Sequence, residues 1–370
     1  MSEPIRVLHI LQRMEAGGTQ ALLMNLYRNI DKSKIQFDFL VEYKEKQFYD
    51  DEINALGGRI FHTSIREDYN IFKFCSYLKS FFKEHKEYKI VHVHAFTIGY
   101  FCLRAAEKAG VPIRIAHSHN NETVHDSKYL LKRLMQRLYA LHANELFACS
   151  REAGKYLFGD RQFTVLKNAI DSDAFAANEE IRKEVRAERG LDNCFVIGSV
   201  GRLHPQKNQK RLIHIFNKVH EIRPDSKLLL IGSGPLEQEL RDEVEALGLQ
   251  AEVIFMGNRK DMSKLYQAMD VFVMTSLFEG LGIVAVESQA AGVPTVCSDG
   301  FPEDIKITPL VVKKSLSDSD DEWAHEILKA GKNPCKHKNM KESIIDSGFD
   351  VKSTASELSK FYLAKYNSVN

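Results

Sequence analysis

The most constraining feature of this sequence is an alternation of short apolar runs with amphipathic stretches, which begins near residue 6 and starts again near residue 194. Strands that alternate with helices form parallel sheets covered by helices on both faces. The pattern therefore predicts an α/β protein with two doubly wound domains. The predicted strands are residues 6–11, 37–41, 59–61, 90–94, 114–117 and 145–150 in the first half, and 194–203, 227–234, 252–257, 270–276 and 294–298 in the second.

The two halves have a natural boundary in the polar stretch 171–192, which is expected to hold a linker and one helix. At 370 residues the chain exceeds an ordinary single core and fits two domains. We expect a first domain over 1–168 and a second over 169–351, with a C-terminal helix at about 352–370 that packs back on the first. The segment "KKSLSDSDDEW" (313–323) is predicted to be a loop, and helices are expected to follow near 320–330, 337–346 and 352–366.

Composition excludes several classes of protein. Contents of 44% hydrophobic and 27% charged residues are those of a soluble globular protein. No apolar run reaches the roughly 18 residues of a membrane span, and the first residues lack a signal-peptide pattern. The six cysteines stand apart, which predicts reduced thiols in a cytoplasmic protein without a structural metal. The net charge of +1 divides into +6 over residues 1–168 and −5 over the rest, without the dense basic stripe of a nucleic-acid-binding protein.

Ligands of doubly wound sheets bind beyond the carboxyl ends of the strands, so residues that follow strands are the candidates. Gly17 and Gly18 precede the first predicted helix, where the backbone can approach a ligand and the helix dipole attracts anions. An ordinary flexible turn would have the same composition. His119 follows the fifth strand and could either donate to a ligand hydroxyl or accept a proton. His92 and His94 are expected to be satisfied side chains in or near the core.

Two further groups follow strands of the second half. Arg202 and Lys207 follow its first strand, and a helix is predicted to start near Lys207. Two cations beside a helix N-terminus suit a diphosphate, although a solvated basic loop also explains them. Gly232 and Gly234 predict a tight strand-to-helix turn. Because Glu237 stands where the dinucleotide fingerprint needs its third glycine, an NAD-dependent oxidoreductase is disfavoured.

The strongest signal is "SLFEGLGIVAVESQAAGVP", in which Glu279 and Glu287 lie eight residues apart and Gly280 and Gly282 separate a strand from a helix. A carboxylate in so apolar a segment as that of Glu287 costs several kcal/mol unless hydrogen bonds satisfy it. A ribose diol offers two donors for that purpose, while Glu279 could contact a sugar. The Asp pairs at 171/173 and 318/320 lie in polar segments, and no motif requires a divalent metal.

Together these segments resemble glycosyltransferase family four, whose members are retaining enzymes of GT-B fold with two Rossmann-like domains facing a central cleft. The resemblance covers nearly the whole chain and rests on "GGTQ", "HSHN", "KNAID", "GRLHPQKN", "LLLIGSGP" and the E-x7-E block. Two positions depart from the family pattern. Leu281 stands where Phe is usual, and "SDGFPED" (298–304) replaces a Gly-Gly that often follows the block.

The resemblance implies sugar transfer, without a metal or other cofactor, from a UDP-hexose or UDP-N-acetylhexosamine held by the second domain. The acceptor would be a glycan or a lipid-linked molecule of capsular or exopolysaccharide synthesis, and the first domain would bind it. The implied catalytic residues are His119, Glu279, Arg202 and Lys207. The implied donor-binding residues are Gly17, Gly18, Gly201, Arg202, Lys207, Glu279, Gly280, Leu281, Gly282 and Glu287.

Two other functions stay open at this point. A GT-B nucleotide-sugar epimerase would turn over the donor without an acceptor, and a non-catalytic nucleotide-sugar-binding protein would bind it without turnover. The segment 128–142 has apolar residues at helical spacing with four Lys or Arg and no acid. It predicts either an ordinary surface helix or reversible attachment to an anionic inner membrane face.

Overall fold

The computed structural model of the protein divides into two compact units. One unit combines Met1–Ala169 with Val351–Asn370, and the other is Ile170–Asp350. Each unit is built around a parallel sheet of its own. The structure describes residues 3–15, 17–63, 65–119, 135–136 and 138–369, without the side chains of residues 96 and 97.

The first unit contains a seven-stranded sheet. Its strands are β1 (Ile5–Leu11), β2 (Ile35–Val41), β3 (Ile60–His62), β4 (Ile90–Val93), β5 (Ile113–Ser118), β6 (Glu145–Ala148) and β7 (Thr164–Val165). All pairings are parallel and the order is β3-β2-β1-β4-β5-β6-β7, so the direction of winding reverses between β1 and β4. The helices described before the second unit are α1 (Gly18–Asn29), α2 (Asp50–Ala55), α3 (Ile65–Asp68), α4 (Ile71–Glu84), α5 (Phe96–Lys108) and α6 (Arg151–Phe158).

The strands of this sheet are apolar along their length because helices cover both of their faces. In β1, alternate residues enter two different cores: Val7 and Leu11 pack on one face, and Leu8 and Ile10 on the other. The face of Val7 also carries His9, which is fully buried. The sheet therefore buries polar rings on one face as well as aliphatic side chains.

The second unit contains a six-stranded parallel sheet. Its strands are β8 (Phe195–Val200), β9 (Ser226–Ile231), β10 (Val253–Phe255), β11 (Val271–Met274), β12 (Thr295–Ser298) and β13 (Val311–Lys314). The order β10-β9-β8-β11-β12-β13 again reverses, here between β8 and β11. Its helices are α7 (Glu179–Glu188), α8 (Gln209–Ile222), α9 (Glu237–Ala246), α10 (Met262–Ala268), α11 (Ile283–Ala290), α12 (Asp320–Ala330) and α13 (Lys341–Asp346).

The prediction of a loop from residue 313 is wrong at its start, whereas the helix predicted near 320–330 is confirmed. Lys313 and Lys314 end β13, where their polar side chains fit an edge strand, and α12 begins at Asp320. Ser319 and Glu322 form a reciprocal capping box at that helix start.

The C-terminal helix α14 (Val351–Asn367) belongs to the first unit. Its buried residues Val351, Ala355, Leu358 and Tyr362 share a core with β1 and α1. The first unit is thus assembled from two separate stretches of the chain.

Candidate functional site

The candidate site of the second unit lies at the carboxyl ends of β8 and β11, the neighbouring strands between which the winding reverses. The two loops that leave these strands lead to helices on opposite faces of the sheet, and ligands of such sheets bind at this position. Arg202 and Lys207 follow β8, whereas Glu279 follows β11. The predicted donor-site residues of this unit are therefore collected at one end of one sheet.

The strand-to-loop turn after β8 is packed against the glycine-rich turn after β9. The Gly201 N–H donates to the Ile231 carbonyl at 2.9 Å, and the Leu203 N–H donates to the Ser233 carbonyl at 3.0 Å. Gly232 has a φ of 133°, and a Cβ there would lie 2.1 Å from the Gly201 carbonyl oxygen. Only glycine fits this contact, which confirms the tight turn predicted from the sequence.

Lys207 lies on a single 3₁₀ turn, Pro205–Lys207. Asn208 follows with a left-handed backbone (φ 53°), a conformation that Asn tolerates better than most residues. Helix α8 therefore begins at Gln209, after a break, which agrees with the predicted start near Lys207. The Thr275 hydroxyl donates to the Asn208 carbonyl at 2.8 Å, so the bent segment is tied to the end of β11.

Lys207 and Glu279 form an ion pair, with Nζ 2.5 Å from Oε1. Their side chains retain only 18% and 7% of their exposure. The Glu279 N–H donates to the Gly300 carbonyl at 3.0 Å, and Gln206 Nε2 donates to the Phe278 carbonyl at 2.9 Å. A shielded pair persists only when its geometry is fixed in this way. The sequence identified both residues but not their contact.

Arg202, the second predicted cation, remains exposed. Within the described part of the chain, its guanidinium makes no hydrogen bond or ion pair, while its carbonyl accepts from Gln209 Nε2 at 2.9 Å. Burial lowers the pKa of His204, and the charges of Arg202 and Lys207 lower it further. The structure thus places both cations near His204, in a locally positive field, with Arg202 accessible to an anion.

The turn between Glu279 and α11 is held by a close contact with the following loop. Gly282 has a φ of 76°, and a Cβ there would lie 2.3 Å from Cε1 of Phe301. No acidic residue occupies the first turn of α11, so the positive end of its dipole is not neutralised by its own side chains. Leu281 packs into the core at 4% exposure. Its backbone, rather than its side chain, is therefore the part that can meet a ligand.

Glu287 lies on α11 and is buried, with 8% of its surface exposed. The Tyr266 hydroxyl lies 2.9 Å from Glu287 Oε2 and donates to it. Burial raises the pKa of Glu287 to about 7, while this hydrogen bond opposes the rise. The carboxylate is therefore partly satisfied within the protein, by a residue that sequence reasoning missed. The sequence signal that could have indicated Tyr266 is an aromatic residue with a polar hydroxyl group at a core position of an amphipathic helix.

The first unit places its predicted residues at the carboxyl ends of β1 and β5. Gly17 caps the start of α1 and Gly18 is its first residue. His119 directly follows β5, on the same side as His117. Burial lowers the pKa of His119 to about 3, so the ring is neutral at physiological pH.

His119 is one of five histidines packed together on one face of this sheet. Burial also lowers the pKa of His9 to about 3 and holds the pKa values of His92, His94 and His117 well below the ordinary value. Their nearest ring nitrogens lie 2.8–3.0 Å apart, at hydrogen-bond distances. His92 and His94 are thus hydrogen-bonded near-core residues, as predicted.

Comparison with known proteins identifies the family. Residues 16–174 match the family model described as Glycosyltransferase Family 4, and residues 181–346 match the one described as Glycosyl transferases group 1. A protein of Bacillus subtilis (strain 168) named as the glycosyltransferase EpsF is 37% identical over 369 residues, which cover 96% of each chain. The chain belongs to glycosyltransferase family 4.

Further similarities support this membership and the fold. The UDP-Gal:alpha-D-GlcNAc-diphosphoundecaprenol alpha-1,3-galactosyltransferase of Escherichia coli is 25% identical over 396 residues, 97% of each chain. The crystal structure of Anabaena Alr3699/HepE in complex with UDP and glucose superposes with a TM-score of 0.82 at 18% identity, covering 97% of this chain and 99% of that one. The two Rossmann-like units of this family 4 glycosyltransferase are those of the GT-B fold, as predicted.

The loop 298–304, where the sequence departs from the family pattern, is anchored rather than open. Phe301 is buried against Gly282, and Lys313 Nζ donates to the Phe301 carbonyl at 2.6 Å and to Glu303 at 2.7 Å. Hydrogen bonds to two lysines lower the pKa of Glu303 to about 2. This loop packs against Gly282 and so holds the turn of the E-x7-E block in place.

The basic segment 128–142 falls mostly outside the described residues of this glycosyltransferase. Of its C-terminal part, Ala140–His142 form a 3₁₀ turn. Among the helices that the structure describes, none is both long and apolar enough to cross a membrane.

Proposed function

We propose that this glycosyltransferase moves a hexose or N-acetylhexosamine from a UDP-sugar to a glycan or lipid-linked acceptor in cell-surface polysaccharide synthesis. We further propose that transfer retains the anomeric configuration and needs no metal ion. The observation that carries the proposal is the Lys207–Glu279 pair beside the glycine-rich start of α11, with Glu287 buried on the same helix.

The donor diphosphate has suitable partners in this arrangement. Arg202 offers an accessible guanidinium, and Lys207 offers an ammonium that is held in place by Glu279. The N-terminus of α11 adds backbone N–H groups and a positive dipole end. Two cations and a helix terminus are the usual protein substitutes for a metal at a phosphate.

The nucleoside has a partner in Glu287. Tyr266 donates to Oε2 of this carboxylate, and a ribose diol would supply the remaining donors. The uracil base is supported by relatives alone: the E. coli relative is named for a UDP-Gal donor, and HepE was crystallised with UDP.

The proposed transfer needs few chemical participants. The acceptor oxygen forms a bond to the anomeric carbon as the bond from that carbon to the diphosphate oxygen breaks, on the same face of the sugar. The acceptor proton passes to the leaving phosphate oxygen. Lys207 and Arg202 stabilise the charge that develops on the diphosphate, and Glu279 contacts the sugar. In the first unit, Gly17, Gly18 and His119 keep the roles that the family resemblance assigns to them.

A lipid-linked acceptor fits the distribution of charge. The first unit carries 28 Lys and Arg against 20 Asp and Glu, or +8, and the second carries 23 against 30, or −7. A positive unit favours the anionic inner face of a membrane. We therefore propose a cytoplasmic enzyme that attaches reversibly to that face through its first unit.

A donor screen tests the proposal. The protein is incubated with UDP-, GDP- and ADP-sugars without an acceptor, and released nucleotide is measured alongside calorimetric binding of UDP, GDP and ADP. Slow hydrolysis of one UDP-sugar, and an α-linked product with an added acceptor from an α-linked donor, are expected. Absence of nucleotide binding would exclude a donor site. Conversion of the donor to an isomeric sugar would indicate an epimerase, and binding without any turnover would indicate a binding protein.

A further inference from the structure

The five histidines on this face of the first sheet form two hydrogen-bonded chains. In the first, His9 Nδ1 lies 3.0 Å from His94 Nε2, and His94 Nδ1 lies 2.8 Å from His119 Nε2. In the second, which starts on helix α14, the Tyr362 hydroxyl lies 2.7 Å from His92 Nδ1 and His92 Nε2 lies 3.0 Å from His117 Nδ1.

Each chain contains one hydrogen more than its bonds can use. Low pKa values keep all five rings neutral, so each ring carries a single N–H, and Tyr362 adds one O–H. Each chain therefore has three N–H or O–H hydrogens but only two hydrogen bonds between its members. Since a middle ring with one N–H must donate to one neighbour and accept from the other, each chain can point in only two directions. The spare hydrogen therefore lies at one end or the other.

The ends of each chain lie in different surroundings. His9 and Tyr362 are 0% exposed among aromatic side chains, and within the described residues His9 Nε2 has no hydrogen-bond partner. His117 and His119 line a pocket together with His94, Gln136 and Tyr156. Among the residues described, His117 Nε2 and His119 Nδ1 also lack partners, and each nitrogen is itself buried although both residues line the pocket. An unpaired donor costs about 1–3 kcal/mol in a core but can meet a ligand or water in a pocket.

We propose that both chains point their spare hydrogens towards this pocket, so that His117 Nε2 and His119 Nδ1 form a pair of N–H donors for an oxygen-bearing ligand. The ligand class is an oxygen acceptor, such as a sugar hydroxyl. His119 then acts as a donor and not as a base, because its Nε2 lone pair accepts from His94. This choice of ligand rests on the proposed function, whereas the positions of the hydrogens do not.

The alternative function of these histidine rings is to bind a transition-metal ion. The groups His9–His92–His94 and His94–His117–His119 each have ring nitrogens within 4.8 Å of one another. Two nitrogens that bind one zinc tetrahedrally at about 2.0–2.1 Å lie about 3.4 Å apart. The bonded pairs here lie 2.8–3.0 Å apart, which is the distance of N–H···N hydrogen bonds.

Nitrogen NMR decides the direction of both chains without any substitution in them. The full-length protein is labelled with ¹⁵N-histidine, and long-range ring correlations are recorded between pH 5.5 and 8. We expect five rings that do not titrate in this range, three protonated at Nδ1 (His9, His94 and His119) and two at Nε2 (His92 and His117). His337 and His204, whose pKa values burial also lowers, are removed from the count with His337→Gln and His204→Gln.

Every other result overturns the proposal. Reversal of the first chain gives five rings protonated at Nε2, reversal of the second gives five protonated at Nδ1, and reversal of both gives two at Nδ1 and three at Nε2. Zinc bound at one equivalent, and lost in both His117→Gln and His119→Gln, would establish a metal site instead. These readouts do not require transfer activity, so they stand even if the proposed reaction is wrong.

A matched pair of variants then tests the donor role in catalysis. His117→Gln keeps an N–H donor at a similar reach, and His117→Leu keeps volume without a donor. We expect kcat/KM to be at least tenfold higher in His117→Gln than in His117→Leu. Equal kcat/KM in two variants with native-like melting would contradict the donor role of His117.

Discussion

Nζ of Lys207 lies 2.5 Å from Oε1 of Glu279, although 72 residues separate them in the chain. The ion pair joins the loop after β8 to the loop after β11, the two strands at which the sheet reverses its winding. A phosphate that approaches Lys207 must share the ammonium with the Glu279 carboxylate. Donor binding and loosening of this pair are therefore expected to be coupled.

Removal of either partner should slow the reaction without unfolding the protein. Lys207→Ala and Glu279→Ala are each expected to lower kcat by about 10²–10³, the usual effect of losing one preorganised electrostatic contact. Steady-state rates with the donor found in the screen measure this. Lys210→Ala is the matched control, because Lys210 forms an exposed pair with Glu243 at 2.8 Å. Near-wild-type rates in both site variants would show that neither Lys207 nor Glu279 contributes to catalysis.

The double variant Lys207→Ala/Glu279→Ala should be less impaired than the two single effects predict together. Each single change removes the other residue's partner in this ion pair, and the double change removes both charges of the pair. Fully additive losses would show that the two side chains act independently in the reaction.

Glu287→Gln should stabilise the second unit in a pH-dependent manner. The folded pKa of Glu287 is raised to about 7, so the wild type loses stability as pH rises from the unfolded value of about 4.5 to 7. We expect a gain of about 2–4 kcal/mol at pH 8 that disappears near pH 4.5. Urea unfolding followed by Trp323, the single tryptophan and fully buried in this unit, reports it. A stability difference of equal size at pH 8 and at pH 4.5 would show that it does not come from the ionisation of Glu287.

Donor affinity should follow the ionisation of the same carboxylate. A ribose diol donates best to a charged acceptor, so the donor KM is expected to fall as pH rises through about 7. Tyr266→Phe removes the hydrogen bond that lowers the pKa of Glu287 and should move this midpoint to higher pH. Glu287→Gln should abolish the pH dependence. A midpoint unchanged by Tyr266→Phe would argue against Glu287 as its source.

Metal chelation should leave transfer intact, because cations of the protein replace the metal at the diphosphate in our proposal. Rates are compared before and after dialysis against EDTA, with and without added magnesium. Complete loss of activity that magnesium restores would contradict metal independence.

Membrane attachment should depend on charge. Flotation with liposomes is expected to recover the protein with anionic vesicles at low salt and to lose it at high salt, because each Lys or Arg near the surface contributes about 1 kcal/mol that salt screens. Equal recovery with neutral and anionic vesicles, or none with either, would leave the positive first unit without this role.

The sequence predicted most of the strands, and the strand ends after which the candidate site residues lie, for a physical reason. Buried parallel strands carry a local apolar signal, and ligands of such sheets bind beyond their carboxyl ends. Edge strand β13 was not predicted, because its residues are only half buried. The break at Asn208 was not predicted, because a single residue with a left-handed backbone does not change the periodicity of the apolar residues.

Contacts between distant segments were less accessible to prediction. The Lys207–Glu279 pair and the Tyr266–Glu287 hydrogen bond join different elements, and no spacing in the sequence specifies them. The same is true of Tyr362, which meets His92 across 270 positions of the chain. Sequence reasoning placed His117 and His119 on one face but had no means to connect them to two other strands and a helix.

The return of α14 to the first unit has a consequence for biosynthesis. The second unit is one continuous stretch, Ile170–Asp350, and is fully translated before residues 351–367 exist. The first core lacks Val351, Ala355, Leu358 and Tyr362 until then. On the ribosome the usual order, in which the N-terminal domain folds first, is therefore expected to be inverted, with the later-made unit able to finish before the earlier one.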